Sequence, residues 1–190
     1  MDLDHSFKRS LYNSDFEMDY QRRAHHNKKR DRFHHGQRKL LMSEIEFLTR
    51  AMSEKLDANT RTTVLYVGAA PGTHVLYLTV LFPHVHFILF DSNHFFHKLY
   101  HIPNICIKNM FFDTHIAEEY ALIYRNNDLL FISDIRSTTN ENPQCEYLVQ
   151  QDMKAQMQWH LIMQPRLSML KFRLPYISPG SVYHNHDYIS

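Results

Sequence analysis

The loop from Tyr66 to Thr73 and the carboxylate of Asp91 are the residues whose types and spacing point most directly to chemistry. The loop reads Gly68-Ala-Ala-Pro-Gly-Thr and follows a short β-branched apolar run, Thr63–Val67. Gly68 would let backbone approach a ligand closely, Pro71 fixes φ, and Gly72 permits a turn before a helix. Asp91 ends the next apolar run, Val85–Phe90. A carboxylate there can accept both hydroxyl hydrogens of an adenosine ribose, a geometry shared by NAD and S-adenosylmethionine sites. Neither the G-x-G-x-x-G spacing of a dinucleotide site nor a P-loop is present. A cofactor without pyrophosphate needs less of a phosphate cradle, which favours S-adenosylmethionine. The same residues would also suit a plain helix-capping turn followed by a strand-end acid.

A second set is Lys39, Asp134 and Lys171. Lys171 has apolar neighbours (Met169, Leu170, Phe172), so its side chain must leave a buried strand. Lysine is rarely buried without a partner. Desolvation and a second cation nearby favour a neutral amine, which can position or deprotonate a hydroxyl. Asp134, at the mouth of the same sheet, could hold the ammonium groups. By spacing alone, Lys39 and Lys171 would equally suit surface lysines that snorkel to water.

These residues need a scaffold of alternating strands and helices. Residues 1–35 are polar and aperiodic and read as a flexible basic arm, with a single domain over residues 36–190. After Gly36, Leu40, Leu41, Ile45, Leu48 and Met52 recur at helical spacing. Residues following Thr73 (HVLYLTVLF) suit another helix, as do Glu146–Met163, stopped by Pro165. Strands are expected at Thr63–Val67, Val85–Phe90, Asn104–Lys108, Asp128–Ser133 and Ser168–Arg173, with a polar loop at Ser137–Pro143. This order predicts an α/β, Rossmann-like fold with a mostly parallel sheet and helices on both faces.

The bulk numbers set limits. The 190 residues suffice for one domain with a real core. Apolar residues make up 44% and charged residues 22%, which excludes a disordered chain. The net charge of +1 gives no global case for nucleic acid, but Arg22–His35 is rich in Lys and Arg and could attract phosphate. Cys106 and Cys145 are too isolated for a disulfide framework or a Cys-based zinc site, which fits a reducing compartment. No secretory h-region or membrane-length apolar run is visible. Fifteen histidines invite a metal reading, but none of His25–His26, His34–His35, His94/His97 or His184-x-His186-Asp187 has a closed four-ligand spacing, so no metal site is expected.

Five blocks in register carry a resemblance: GQRKLLMSE (36–44), VLYVGAAPGTH (64–74), FDSNH (90–94), FISDIRS (131–137) and LKFRLPY (170–176). Together they resemble the poxvirus cap-specific mRNA nucleoside 2′-O-methyltransferases, which double as processivity subunits of the viral poly(A) polymerase. The wider group is the RNA ribose methyltransferases with a Lys-Asp-Lys-Glu tetrad. The resemblance implies a Rossmann-like methyltransferase fold using S-adenosyl-L-methionine. It implies methyl transfer to the ribose 2′-oxygen of the first transcribed nucleotide of capped mRNA, or an RNA-binding role as polymerase partner. A viral protein of the host cytoplasm or the virion, with no membrane contact, is implied as well.

Carried over by the resemblance, Lys39, Asp134 and Lys171 match three tetrad members, and Lys171 would activate the attacking hydroxyl. Gln37, Tyr66, Gly68, Ala69, Gly72, Asp91, Asn93, Phe112 and Asp134 fall where the family lines the cofactor pocket, with Asn93 replacing an arginine. Tyr20 and Tyr176 match the aromatic pair that sandwiches the methylated guanine, and such a stack suits a cationic purine. Arg136 and Arg173 fall near the capped RNA. Ser178 stands where the family has an acid at the guanine edge. The fourth tetrad member, a Glu, would lie beyond Ser190, so the last strands of the sheet are expected to be missing.

Overall fold

The computed structural model describes residues 29–55, 60–137 and 146–173, with side chains from residue 37 onward. Helix α1 (Lys29–Ser53) leads to strand β1 (Thr62–Val67), helix α2 (Val75–Leu81) and strand β2 (His86–Phe90). A short 3-10 turn (His97–His101) precedes β3 (Ile105–Lys108) and helix α3 (Thr114–Ile123). Then come β4 (Asp128–Ser133), helix α4 (Glu146–Met163) and β5 (Leu167–Leu170).

The five strands form one sheet in the order β3-β2-β1-β4-β5, every neighbouring pair parallel. All six residues of β1 are buried, as expected of a central strand covered on both faces. Alternation along the strands divides the core. Val64, Tyr66, Phe87, Leu89, Leu130 and Ile132 face Leu48 and Ala51 of α1 and Val75 and Leu78 of α2. Leu65, Val67, Ile88, Phe90, Leu129 and Phe131 face Ile116, Ala117 and Tyr120 of α3 and Trp159 and Met163 of α4. The chain runs outward from β1 to β2 and β3, then crosses to β4. Strand order therefore reverses between β1 and β4, and ligands of open α/β sheets sit beyond the carboxyl ends of the strands at such a point.

Several boundaries differ from the sequence expectation. Helix α1 begins at Lys29 and runs through Gly36 rather than starting after it. An interior glycine costs only about 1 kcal/mol relative to alanine, too little to break a long helix. Strand β5 ends at Leu170, where its pairing with β4 ends at Ser133, so Lys171 to Arg173 lie beyond the ladder. Helix α3 was not foreseen. Asp113 caps it by accepting from the Ile116 N–H at 2.9 Å, and Ile116, Ala117 and Tyr120 form its buried face.

At the opposite, amino end of the sheet a polar cluster ties three strands. Asp128 accepts from Arg166 Nε at 2.6 Å, from an Arg166 terminal nitrogen at 3.1 Å, and from Thr62 Oγ1 at 2.6 Å. Burial pushes the Asp128 carboxyl upward, but the hydrogen bonds from Arg166 and Thr62 and the Arg166 charge outweigh it and hold the carboxyl below its ordinary value. A group lowered by folding stabilises above the ordinary carboxylate range and loses that contribution as pH falls through the lowered value. Arg166→Met should cost about 2 kcal/mol at neutral pH, less than for a fully buried pair because Arg166 is partly solvated. Denaturant unfolding should show the difference from wild type shrinking as pH drops below about 4.

Candidate functional site

The Tyr66–Thr73 loop is fixed by the end of β2. Gly68 and Ala69 N–H both donate to Phe90 O, at 2.9 and 3.3 Å. Gly68 has φ +79°, and a Cβ there would lie 2.8 Å from both Asp134 C and Ile135 N. The missing side chain thus lets β1 approach the backbone leaving β4 closely, and Gly68 also lines the cleft described below. The Asp134 N–H in turn donates to Val67 O at 2.9 Å, so the β1 and β4 loops are laced together. Gly72 has φ +71° and makes the turn before α2, as expected. The Ala70–Pro71 bond is cis.

Asp91 is held rather than free. Its Oδ2 accepts from Ala70 N at 3.0 Å, and its Oδ1 accepts from Asn93 N at 2.8 Å and Asn93 Nδ2 at 2.9 Å. Asn109 Nδ2 donates to Asp91 O and Asn93 O, bracing the same turn from the end of β3. The remaining acceptor capacity of the carboxylate suits a diol.

A cleft of about 600 Å³ opens at the carboxyl ends of β1, β2 and β4. Gly68, Asp91, Asn93, Phe112, Asp134, Arg136 and Lys171, all singled out from the sequence, line it. Phe112 forms its apolar floor, edge-on to Phe90 and to Trp159 with ring centroids 5.0 Å apart in each pair. Met110 and Phe111 stand exposed at its rim. Lys171 Nζ donates to Asp134 Oδ1 across the mouth, each side chain about one quarter exposed. The volume is that of a nucleoside-sized ligand. Asp91 and Asp134 line the cleft together with the cations of Arg136 and Lys171, and the free acceptor capacity of Asp91 fits the hydroxyl pair of a ribose.

Other expected residues lie elsewhere. Gln37 and Lys39 are exposed on α1, and neither lines the cleft. Ala69 and Gly72 do not line it either. The Tyr66 side chain is fully buried on the α1 side of the sheet. Its hydroxyl donates to Glu44 Oε1 at 2.6 Å, and His74 Nε2 lies 3.0 Å from the same oxygen. Burial above all, then the Glu44 charge and hydrogen bond and the Asp134 charge, push the Tyr66 phenol well up, so it stays a donor. Arg173 donates to Glu146 Oε1 at 2.7 Å and does not line the cleft. Tyr20 and Tyr176 lie outside the described residues. Among the described residues no group of three or more His, Cys, Asp or Glu could hold a metal ion, and no helix is long and apolar enough to cross a membrane.

Sequence reasoning overlooked Asp152 and Gln156 of α4, both buried, and the cleft-lining Trp159. The signal was available, because Asp152, Gln156, Trp159 and Met163 form one stripe at helical spacing.

An all-parallel sheet with helices on both faces, a cleft at the strand-order reversal and an acid ending the second strand is the architecture of the Rossmann-like methyltransferase fold. Residues 7–189 match the family model described as poly A polymerase regulatory subunit, and the chain belongs to that family. It is 32% identical over 146 residues to the cap-specific mRNA (nucleoside-2'-O-)-methyltransferase of Fowlpox virus (strain NVSL), covering 74% of this chain and 47% of the relative. It is 26% identical over 148 residues to the protein of the same name from Myxoma virus (strain Lausanne), covering 75% of this chain and 43% of that relative. The chain spans about half the length of the curated relatives it matches.

Proposed function

We propose that the chain transfers a methyl group from S-adenosylmethionine to the ribose 2′-oxygen of the first transcribed nucleotide of capped mRNA. The observation that carries this reading is the Lys171–Asp134 pair at the mouth of a cleft whose far side holds Asp91. The names of the Fowlpox and Myxoma virus relatives support it.

S-adenosylmethionine supplies an already activated methyl group, so positioning is the main task left to the protein. Asp91 would accept the ribose hydroxyls of the cofactor, its carboxylate oriented by Ala70 and Asn93. Phe112 would offer an apolar face to the adenine, and Gly68 and Asp134 line the same cleft. Asp134 holds Lys171 at the mouth, where its amine orients the attacking 2′-hydroxyl and manages its proton. Arg136, also on the cleft, meets the RNA backbone. Lys39 would join Asp134 and Lys171 as a catalytic residue, Tyr20, Tyr176 and Arg173 would complete the RNA side, and cytoplasmic viral mRNA is the substrate pool this implies. In a calorimetric titration, S-adenosylhomocysteine should bind the wild-type chain. Asp91→Ala should weaken that binding at least about 30-fold, as expected when paired hydroxyls lose a charged acceptor. Unchanged affinity in the variant would remove Asp91 from the cofactor site.

The family description favours a second reading, in which the chain acts as a regulatory partner of a poly(A) polymerase and binds RNA without turnover. Cofactor binding combined with no methyl transfer to capped RNA selects it over the first.

A further inference from the structure

Helix α4 turns Asp152, Gln156, Trp159 and Met163 inward. Two of the four are polar, and Gln156 is only 2% exposed. A buried amide is costly unless its donor and acceptor are both met, and an apolar side chain of the same length would fill the space without that demand. Gln156 is met at both ends by one residue. Its Nε2 donates to Lys171 O at 2.8 Å, and its Oε1 accepts from Lys171 N at 3.0 Å. It therefore grips both backbone polar groups of Lys171, the first residue past the last paired position of β4 and β5. The Lys171 N–H also reaches Ser133 O, the residue before Asp134, at 3.0 Å.

One helical turn earlier, Asp152 holds the other loop as an acceptor. It accepts from Ser137 N at 2.8 Å and from Ser137 Oγ at 2.5 Å. The backbones that carry Asp134 and Lys171 are thus both anchored to one face of α4, at i and i+4. We propose that Gln156 is a positioning residue that sets Lys171 against Asp134, with Asp152 fixing the opposing loop. Its consequence for turnover rests on the methyltransferase reading above; the clamp itself does not.

The test compares wild type with Gln156→Met, which keeps the length and removes both hydrogen bonds. Lys171 should be acylated by an amine-directed ester about fivefold or more faster in the variant, the factor expected when about 1 kcal/mol of hydrogen bonding no longer holds the lysine against Asp134, with the exposed Lys108 as internal standard in the peptide mass spectra. The kcat for methyl transfer to capped RNA should fall about 10- to 100-fold while KM for S-adenosylmethionine stays within about twofold. Gln156→Glu, which retains the acceptor for the Lys171 N–H, should fall between the two, and it replaces Gln156→Met if that variant does not fold. Unchanged acylation of Lys171 in a folded variant, or kcat and KM moving together, overturns the proposal. A wild-type chain without turnover defeats the methyltransferase reading alone, because the acylation comparison still decides the clamp.

Discussion

Lys171→Ala is expected to lower single-turnover methyl transfer to capped RNA by at least about 10³-fold, the range for a removed acid–base or positioning group. S-adenosylhomocysteine affinity should stay within about threefold, measured by calorimetry, because the proposed ribose and adenine contacts are Asp91 and Phe112 rather than the lysine. Stability should change little. The Asp134 carboxylate left behind is about one quarter exposed and can be solvated, and partly exposed ion pairs contribute at most about 1 kcal/mol. Lys171→Arg should not restore turnover, since a planar, permanently charged guanidinium cannot take the place of an amine that holds and yields a proton. Loss of cofactor binding together with turnover would make Lys171 a structural residue instead.

Gly68→Ala should be the most damaging small substitution in the loop. A side chain at φ +79° is strained, and its Cβ would sit 2.8 Å from two backbone atoms of the β4 loop. Left-handed strain and forced overpacking together should cost about 3 kcal/mol in denaturant unfolding. Backbone cannot rotate aside as a side-chain tip can, so the β1 and β4 loops must separate. That movement breaks the Asp134 N–H to Val67 O hydrogen bond and shifts Asp134 within the cleft. Cofactor affinity should fall along with stability. A variant within about 0.5 kcal/mol of wild type, the range of ordinary surface changes, would contradict the close approach of the two loops.

Much of the scaffold was legible because its central strands are continuous apolar runs ended by turn residues. Thr63–Val67, Val85–Phe90 and Asp128–Ser133 were each placed to within one residue. Helix α3 escaped because its buried face is short, although the Asp113 cap marked its start. The end of β5 was misplaced because a ladder stops where its partner stops, at Ser133, and that is a property of two segments distant in sequence.

The cleft was legible in the same uneven way. Asp91, Asp134 and Lys171 were found from strand ends and apolar context, and they do share one cleft. What each of them is bonded to is not legible, even where a helical stripe marks the partner as inward-facing. Asn93, singled out as a ligand contact, also anchors Asp91, while Gln156 and Asp152 read as ordinary polar helix residues. The second demand on Gly68, the close approach of the β4 loop, involves a segment distant in sequence and is not visible in the loop itself. Tyr66 was assigned to the pocket, yet its side chain points to Glu44 and His74 beneath the loop.

The most direct test of the central claim is a single-turnover assay with the wild-type chain, methyl-labelled S-adenosylmethionine and capped RNA whose first nucleotide carries a free 2′-hydroxyl. The predicted result is label on that 2′-oxygen and none on RNA already methylated there. S-adenosylhomocysteine binding without any label on the RNA would contradict it and leave the chain as a binding module.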